Sequence, residues 1–153
     1  MKSPFTAIAI AAALALGCAL TAGCSDYRPA KNADGTEARL QVLDMNAMEP
    51  LSYGPTLAGV DVLDGEPTFK IWKMESNGAV RSGVWQATPG KWHFKNSDKH
   101  WEYCIITEGE SVITEDGGRS VRFKAGDSFV LRPGFSGTWE AVSTTTKQYV
   151  IVE

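Results

Sequence analysis

Residues 100–140 place Gly and Pro at short intervals between runs of β-branched and aromatic residues. Such runs are typical of half-buried strands. Asp116-Gly117-Gly118 separates two of these runs and supplies the positive φ angles that a tight hairpin turn needs. The stretch therefore predicts consecutive short strands joined by turns. The pattern gives limits for three of these strands, at residues 103–107, 111–114 and 120–123.

The same alternation of strand signals and turn residues extends over most of the chain. Turn sequences such as Asp64-Gly65-Glu66-Pro67 and Ser76-Asn77-Gly78 separate the runs, because Gly and Asn accept left-handed angles and Pro fixes φ. About nine or ten strands without intervening helices predict an all-β sandwich or barrel rather than a parallel α/β sheet. The further strands are predicted at 40–43, 59–63, 68–74, 83–87, 91–95 and 147–152.

The first 23 residues have the composition of an export segment. They carry one charge, at Lys2, and then an uncharged run rich in Ala, Leu and Ile that ends in small residues. This pattern predicts a secretory signal peptide, since the run lacks the charged stop-transfer flank of a transmembrane helix. Leu20-Thr21-Ala22-Gly23-Cys24 resembles a bacterial lipobox, which predicts lipidation at Cys24. A competing lipobox ends at Cys18, and ordinary signal cleavage or a retained N-terminal anchor would also fit this segment.

Residues 24–39 are polar and have no periodicity that could bury one face. We therefore predict a flexible tether there, between the export segment 1–23 and a single folded domain at 40–153. A lipid on Cys24 would hold this domain at a membrane. The expected location is the periplasm or, for an anchored bacterial lipoprotein, a membrane surface.

Charge and cysteine content exclude some partners and chemistries. The formal net charge of −3 provides no basic surplus to neutralise a phosphate backbone, so nucleic acid is not an expected partner. Two of the three cysteines lie in the first 24 residues, so the folded domain keeps Cys104 and forms no internal disulfide. Cys104 shares a strand face with Glu102. We expect a small buried thiol there, since no neighbouring base that would activate a nucleophile is evident.

At Gly90 the spacing resembles the first motif of cupin proteins, which are small double-stranded β-helix or jelly-roll barrels. That motif reads G(x5)HxH(x3,4)E(x6)G, and its two His and one Glu bind a metal. This chain has Asn96 and Asp98 at the two His positions, keeps Glu102, and ends the motif at Gly109. The resemblance implies a cupin fold in which both imidazole ligands are replaced.

The second cupin motif, G(x5)PxG(x2)H(x3)N, resembles the sequence that starts at Gly126. Here the Pro lies one position late, and Gly137 stands at the position of the last metal-binding His. The phrases at 101–104, 108–110, 125–127 and 134–140 resemble one cupin branch in particular, the group related to ureidoglycine aminohydrolase. Because the true aminohydrolases are two-domain cupins that bind manganese through Glu, His and Gln, this resemblance implies their activity only as one alternative.

In a jelly-roll barrel, strand alternation would direct Asn96, Asp98 and Glu102 toward one interior point. These side chains offer only oxygen ligands, which suit a hard divalent ion such as Mg, Ca or Mn and would hold it weakly. We therefore expect no strongly held metal and no cofactor. Glu102 in such a lumen is either a candidate catalytic acid–base residue or a structural hydrogen-bond acceptor.

The neighbours of Glu102 complete the predicted pocket. His100 either pairs with Glu102 or lies on the surface at the start of the strand, whereas His93 should point outward. Tryptophan side chains would line the lumen, as core or as a platform for a ligand. Lys124, Arg132 and Lys147 have the pattern of solvated charges. The predicted pocket residues are Trp92, Asp98, His100, Glu102, Cys104 and Trp139.

These observations support three hypotheses about function. The first is an exported cupin-domain protein that binds a small polar molecule in its barrel, with a degenerate metal site and no established catalysis. The second is an aminohydrolase-like, metal-dependent enzyme that acts on a small nitrogenous metabolite through Glu102. The third is a structural homodimeric module of the cell envelope that pairs through exposed edge strands.

Overall fold

The computed structural model describes residues 30–153. Within that range the helical structure is limited to a 3₁₀ turn, Met45–Ala47, and no helix is long and apolar enough to cross a membrane. The strands are β1 (Leu51–Tyr53), β2 (Val60–Asp64), β3 (Phe69–Asn77), β4 (Val80–Ala87), β5 (Gly90–Lys95), β6 (Trp101–Glu108), β7 (Glu110–Glu115), β8 (Ser120–Lys124), β9 (Ser128–Leu131), β10 (Ser136–Ala141) and β11 (Thr145–Val152).

The strands form two antiparallel sheets. One has six strands in the order β1-β3-β4-β11-β6-β9, and the other has five in the order β2-β5-β10-β7-β8. From β3 onward the chain repeatedly crosses from one sheet to the other, so strands far apart in sequence become neighbours. The all-β jelly-roll architecture predicted from the sequence is confirmed.

The core forms because strand alternation turns one face of each sheet inward. On β11, Tyr149 and Ile151 are buried while Val150 and Val152 are exposed. Aromatic rings from both sheets fill the centre, and each well-oriented ring pair adds about 0.5–1.5 kcal/mol beyond the burial of its surface. The contacting rings of this cluster belong to Phe69, Trp85, Trp92, Phe129 and Trp139.

The hairpin predicted at residues 116–118 joins β7 to β8. Gly117 has a φ angle of +67°, a region that a side chain would disfavour. The Gly118 N–H donates to the Glu115 carbonyl oxygen at 2.9 Å, which closes the turn. This part of the prediction is confirmed.

The strand predicted at residues 40–43 is wrong. Leu40 and Val42 are 82% and 85% exposed, and this segment pairs with no strand of the described chain. Short apolar runs form strands only where a partner edge is available. Conversely, β1 was not predicted, and no bounds were predicted for β10. The Ser and Gly residues of β10 favour a turn. It is a strand because it pairs with β5 on one side and with β7 on the other.

The described part of the predicted tether contains some local structure. Lys31 and Glu37 form an isolated antiparallel bridge, and the Ala38 N–H donates to the Ala30 carbonyl oxygen at 2.8 Å. The predicted signal peptide and the lipidation site Cys24 lie outside the described residues.

Candidate functional site

Two oppositely charged side chains are buried together on the inner face of the six-stranded sheet. Glu102 on β6 and Lys147 on β11 are 6% and 7% exposed, and Lys147 Nζ donates to Glu102 Oε1 at 2.8 Å. The prediction of a solvated charge at Lys147 is therefore wrong. A signal was present in the sequence, because Lys147 shares the strand parity of the inward-facing Tyr149 and Ile151.

His100 connects this ion pair to the protein surface. It is 3% exposed, and its Nε2 and Nδ1 lie 3.2 Å from Glu102 Oε2 and 3.1 Å from Glu153 Oε1. Each ring nitrogen of His100 therefore has a carboxylate oxygen within hydrogen-bond distance. Glu153 in turn forms an ion pair with Arg81 at 2.7 Å. Of the two interpretations of His100, the structure shows pairing with Glu102.

Local electrostatics keep the central pair charged. Burial would raise the pKa of Glu102, but the charge of Lys147 and hydrogen bonds from His100 and Lys147 outweigh it and lower this pKa to about 2. Burial would lower the pKa of Lys147, but Cys104 and Glu102 raise it, and the net change is upward. At neutral pH, Glu102 is therefore not a proton donor, and Lys147 is not a free amine that could act as a nucleophile.

Cys104 lies behind the ion pair. Its side chain is fully buried, and Sγ is 3.6 Å from Lys147 Nζ. Burial raises the pKa of this thiol, so it stays neutral and unreactive at ordinary pH. Burial and the charge of Glu102 likewise raise the pKa of Tyr149 to about 12. Both groups therefore face the interior as neutral polar atoms.

Aromatic rings enclose the lysine ammonium. Lys147 Nζ lies 5.2 Å from the ring centroid of Trp85 and 4.8 Å from that of Trp139, distances at which a cation is attracted to an aromatic face. The indole Nε1 of Trp139 donates to Ser111 Oγ at 2.8 Å, which fixes the orientation of that ring. The cation is thus held by a carboxylate on one side and by two indoles on others.

A cavity of about 90 Å³ adjoins the ion pair. Ala58 and Gly59 line it while remaining exposed, so the connection between β1 and β2 forms its rim. The polar part of the wall consists of Asn96, His100, Glu102, Lys147 and Tyr149, and the aromatic part of Phe69, Trp85, Trp92, Phe94 and Trp139.

Asn96 contributes an unsatisfied hydrogen-bond donor to this wall. The residue is 5% exposed, and its Nδ2 has no hydrogen-bond partner within the described part of the chain. Leaving a buried amide donor unpaired costs about 1–3 kcal/mol. Since Asn96 lines the cavity, a molecule there that placed an acceptor atom within reach of Nδ2 would recover this cost.

The structure brings together some of the predicted pocket residues. Trp92, His100, Glu102 and Trp139 line the cavity, whereas Cys104 lies behind Lys147. Asp98 is exposed and does not line the cavity. The reason is that β5 ends at Lys95, so strand alternation does not continue through residues 96–100. Outside the core, His93 is half-exposed and bonds Asp116 at 2.9 Å, and Lys124 and Arg132 are exposed as predicted.

The residues at the metal-motif positions do not fit a metal ion. Asp98 is absent from the cavity wall, and the two oxygens of Glu102 already bind Lys147 and His100. The lysine ammonium beside Glu102 would also repel a divalent cation. In residues 30–153, no group of three or more His, Cys, Asp or Glu side chains is arranged to hold a metal.

Backbone packing leaves no room for a side chain at Gly137, the last position of the metal motif. A Cβ atom at Gly137 would clash with the carbonyl oxygen of Thr114 on β7 and would lie 2.9 Å from the ring of Phe135. Any side chain at this position would require β10 to move away from β7. The imidazole missing at Gly137 is therefore excluded by the close approach of two strands.

A larger groove of about 520 Å³ lies next to β8 and β9. Phe123 and Phe129 form part of its floor, and Arg119 and Arg132 are among the residues that line it. It contains none of the buried charged residues of the barrel interior. We therefore take the smaller cavity as the candidate functional site, because within residues 30–153 it is there that buried charges, an unpaired donor and aromatic rings meet.

Two antiparallel sheets in this order, packed around a small cavity, are the architecture of the cupin class of β-barrel proteins. Residues 74–149, from β3 to β11, match the family model of the EutQ-like cupin domain. The described part of this protein accordingly has the cupin fold, and residues 74–149 are similar to EutQ-like cupin domains. No curated protein matches the chain significantly.

Solved structures show the same fold. A predicted oxalate decarboxylase from Thermotoga maritima superimposes with a TM-score of 0.57 at 21% identity, over 73% of this chain and 98% of that protein. A DUF861-family protein of unknown function from Pseudomonas syringae gives 0.55 at 21% identity, over 68% of this chain. The EutQ protein of Clostridium difficile gives 0.51 at 13% identity, over 56% of this chain and 68% of that protein.

At these identities the likeness concerns the fold alone. This chain also spans only 43% of the Pseudomonas protein's length. The activity of any of these proteins is therefore a hypothesis when applied to this one.

Proposed function

We propose that this protein is an exported, lipid-anchored cupin that binds a small polar molecule in its barrel cavity. The observation that carries the proposal is the cavity wall, which combines the unpaired Asn96 donor with an aromatic surface. Ligand sites typically pair a mainly apolar lining with a few directed polar groups. The volume of about 90 Å³ restricts the ligand to a compact molecule.

Binding is better supported than catalysis by the state of the charged groups. Glu102 and Lys147 neutralise each other at 2.8 Å, and each has a pKa that keeps it ionised at neutral pH. A general acid or base works best when its pKa lies near the working pH. The catalytic role of Glu102 therefore stays a prediction that this geometry does not favour.

Two further candidate functions retain specific support. The buried contact between His100 and Glu102 at 3.2 Å favours an aminohydrolase-like enzyme, although the metal that such an enzyme needs lacks fitting ligands here. Exposed apolar residues favour a homodimeric module, since Val152 lies between Val80 and Trp101 on the outer face of the six-stranded sheet. The enzyme and the homodimeric module each predict experimental results that differ from those expected for a ligand-binding protein.

A ligand screen that follows tryptophan fluorescence tests the proposal directly, because Trp85, Trp92 and Trp139 line the cavity. We expect a small polar compound to change the emission of the full-length protein in detergent and to raise its melting temperature. At a ligand concentration about 100 times Kd, the stabilisation is about 2.7 kcal/mol. Asn96→Leu should weaken this response, whereas Arg132→Ala, in the separate larger groove, should preserve it.

The same preparation distinguishes the three candidate functions. Stoichiometric Mn, Fe or Zn in elemental analysis would contradict the proposal and favour the enzyme. Absence of any ligand, together with a tight dimer in sedimentation velocity, would favour the structural module.

The anchoring part of the proposal rests on the sequence around Cys24. Cys24→Ser should abolish incorporation of labelled palmitate in a bacterial host and move the protein from the membrane to the soluble fraction, because the lipid would be attached at that sulfur. Cys18→Ser, in the competing lipobox, is the matched control and should leave labelling unchanged. Persistent labelling of the Cys24 variant would refute the assignment.

A further inference from the structure

We propose that the ligand is a compact carboxylate or amide whose oxygen accepts hydrogen bonds from Asn96 and from the ammonium of Lys147. The inference rests on the proposed function, because it names the ligand class of the same cavity. Lys147 then acts as a built-in cation that takes the place of a metal ion beside Glu102.

The cation beside Glu102 is the ammonium of Lys147. Glu102 is the acidic side chain that the first cupin motif retains, and the group bound to its Oε1 is Lys147 Nζ at 2.8 Å. The ammonium lies inside the barrel and lines the cavity. A positive charge is therefore present where a metal-binding cupin would need a metal, and it is supplied by the chain itself.

The cavity wall has more hydrogen-bond donors than the described contacts satisfy. Each Glu102 oxygen already has one hydrogen-bond partner, Lys147 for Oε1 and His100 for Oε2. An ammonium has three N–H donors, and in the described residues Lys147 Nζ contacts two acceptor atoms, Glu102 Oε1 and Cys104 Sγ. Asn96 Nδ2 is a further donor without a partner. The wall thus has donors to spare, and a ligand that supplies an acceptor satisfies them.

The charge of Lys147 restricts the charge that a ligand can carry. An amine ligand would bring a second positive charge beside Lys147, and as an ammonium it has only donors, so it could not accept a hydrogen bond from Lys147 or from Asn96. A carboxylate ligand would instead gain a charge-assisted hydrogen bond from the ammonium, which is stronger than a bond between neutral groups. A primary amide would offer a neutral acceptor in the same place.

The remainder of the ligand must suit the aromatic part of the wall. Trp85 and Trp139 contact the ammonium of Lys147. Trp92 and Phe94 also line the cavity and offer aromatic surface to a ligand. A short apolar group attached to the carboxylate or amide would pack against these rings. A cavity of about 90 Å³ is several times the ~10–15 Å³ that a single bound water needs, so a short organic molecule is a suitable size of ligand.

Three probes of matched shape test the ligand class: propionate, propionamide and propylammonium. Titration of the full-length protein in detergent, followed by tryptophan fluorescence and calorimetry, should show that propionate and propionamide bind at least ~10-fold more tightly than propylammonium. Asn96→Leu should reduce propionate affinity by at least ~10-fold, because it removes a buried donor of the wall. Asn96→Asp, which has nearly the same shape, should shift the preference toward propylammonium, since it adds an acceptor.

Two results would overturn the inference. If propylammonium binds wild type as tightly as propionate, the cavity is a ligand site of another class, and the proposed function survives. If none of the three probes binds, the ligand class is also rejected, and the broader screen then decides the proposed function separately. Circular dichroism and the melting temperature of each Asn96 variant show whether a lost affinity reflects the site or the fold.

Discussion

Replacing Lys147 by methionine is expected to lower the free energy of unfolding by about 3–5 kcal/mol, which is typical of a buried ion pair that loses one partner. The substitution keeps the length and the apolar stem of the side chain but removes the ammonium that binds Glu102 Oε1 at 2.8 Å. Glu102 would then be a carboxylate inside an aromatic core without its cation. Urea denaturation at neutral pH, with the melting temperature as a second measure, gives the change.

Two further variants make this prediction specific. Adding Glu102→Gln to Lys147→Met should recover part of the lost stability, because the uncompensated charge is removed as well. Lys124→Met, at the exposed end of β8, is the matched control and should change stability by less than about 0.5 kcal/mol. A cost below about 1 kcal/mol for Lys147→Met would show that Glu102 is not held as a buried anion.

Acidification is expected to remove about 3 kcal/mol of stability that depends on Glu102. Its pKa is about 2 in the folded protein and 4.5 ordinarily, a difference of 2.5, and each pKa unit corresponds to 1.36 kcal/mol. Because the folded-state pKa is lowered, the stabilisation is fully present above pH 4.5. It is lost progressively as the pH falls from 4.5 toward 2.

The contribution of Glu102 can be separated from that of other carboxylates by difference. Unfolding free energies of wild type and Glu102→Gln are measured at several pH values between neutral and about pH 3. The advantage of wild type over the variant should shrink below pH 4.5, the ordinary pKa of the side chain. A difference that stays constant over this range would mean that Glu102 takes up its proton at a similar pH in the folded and unfolded states.

These two predictions concern the same physical feature. A buried ion pair contributes little net stability compared with apolar residues of the same volume, because desolvation offsets the attraction of the charges. Each partner nevertheless depends strongly on the other. The pair between Glu102 and Lys147 therefore places a fixed cation at the cavity wall while keeping the net charge of the two side chains at zero.

Much of the architecture could be predicted from local pattern. Turn chemistry at Gly117 and strand alternation in the segments that became β6, β7 and β8 depend on interactions between near neighbours in sequence, so they are visible without coordinates. The spacing from Gly90 to Gly109 added the cupin resemblance, which the family match supports. The segment at 40–43 was predicted wrongly, because its apolar residues pair with no strand in residues 30–153.

The candidate site was predictable only in part. Glu102 and Trp139 were placed in the interior by strand parity, and both line the cavity. Asp98 was placed there too, but β5 ends at Lys95 and the chain leaves the extended conformation on which the parity argument depends. His100 was left with two interpretations, since a side chain at the start of a strand can face either way.

By itself the sequence determined the class of fold and the absence of imidazole at the metal-motif positions, because both are properties of residue type and spacing. Only the tertiary structure decided which side chain lies beside Glu102 in the barrel. Lys147 meets Glu102 because β11 pairs directly with β6, although the two residues are 45 positions apart. Strand parity indicates that Lys147 faces inward, but which distant strand pairs with β11, and in which register, is decided only when the sheet is assembled.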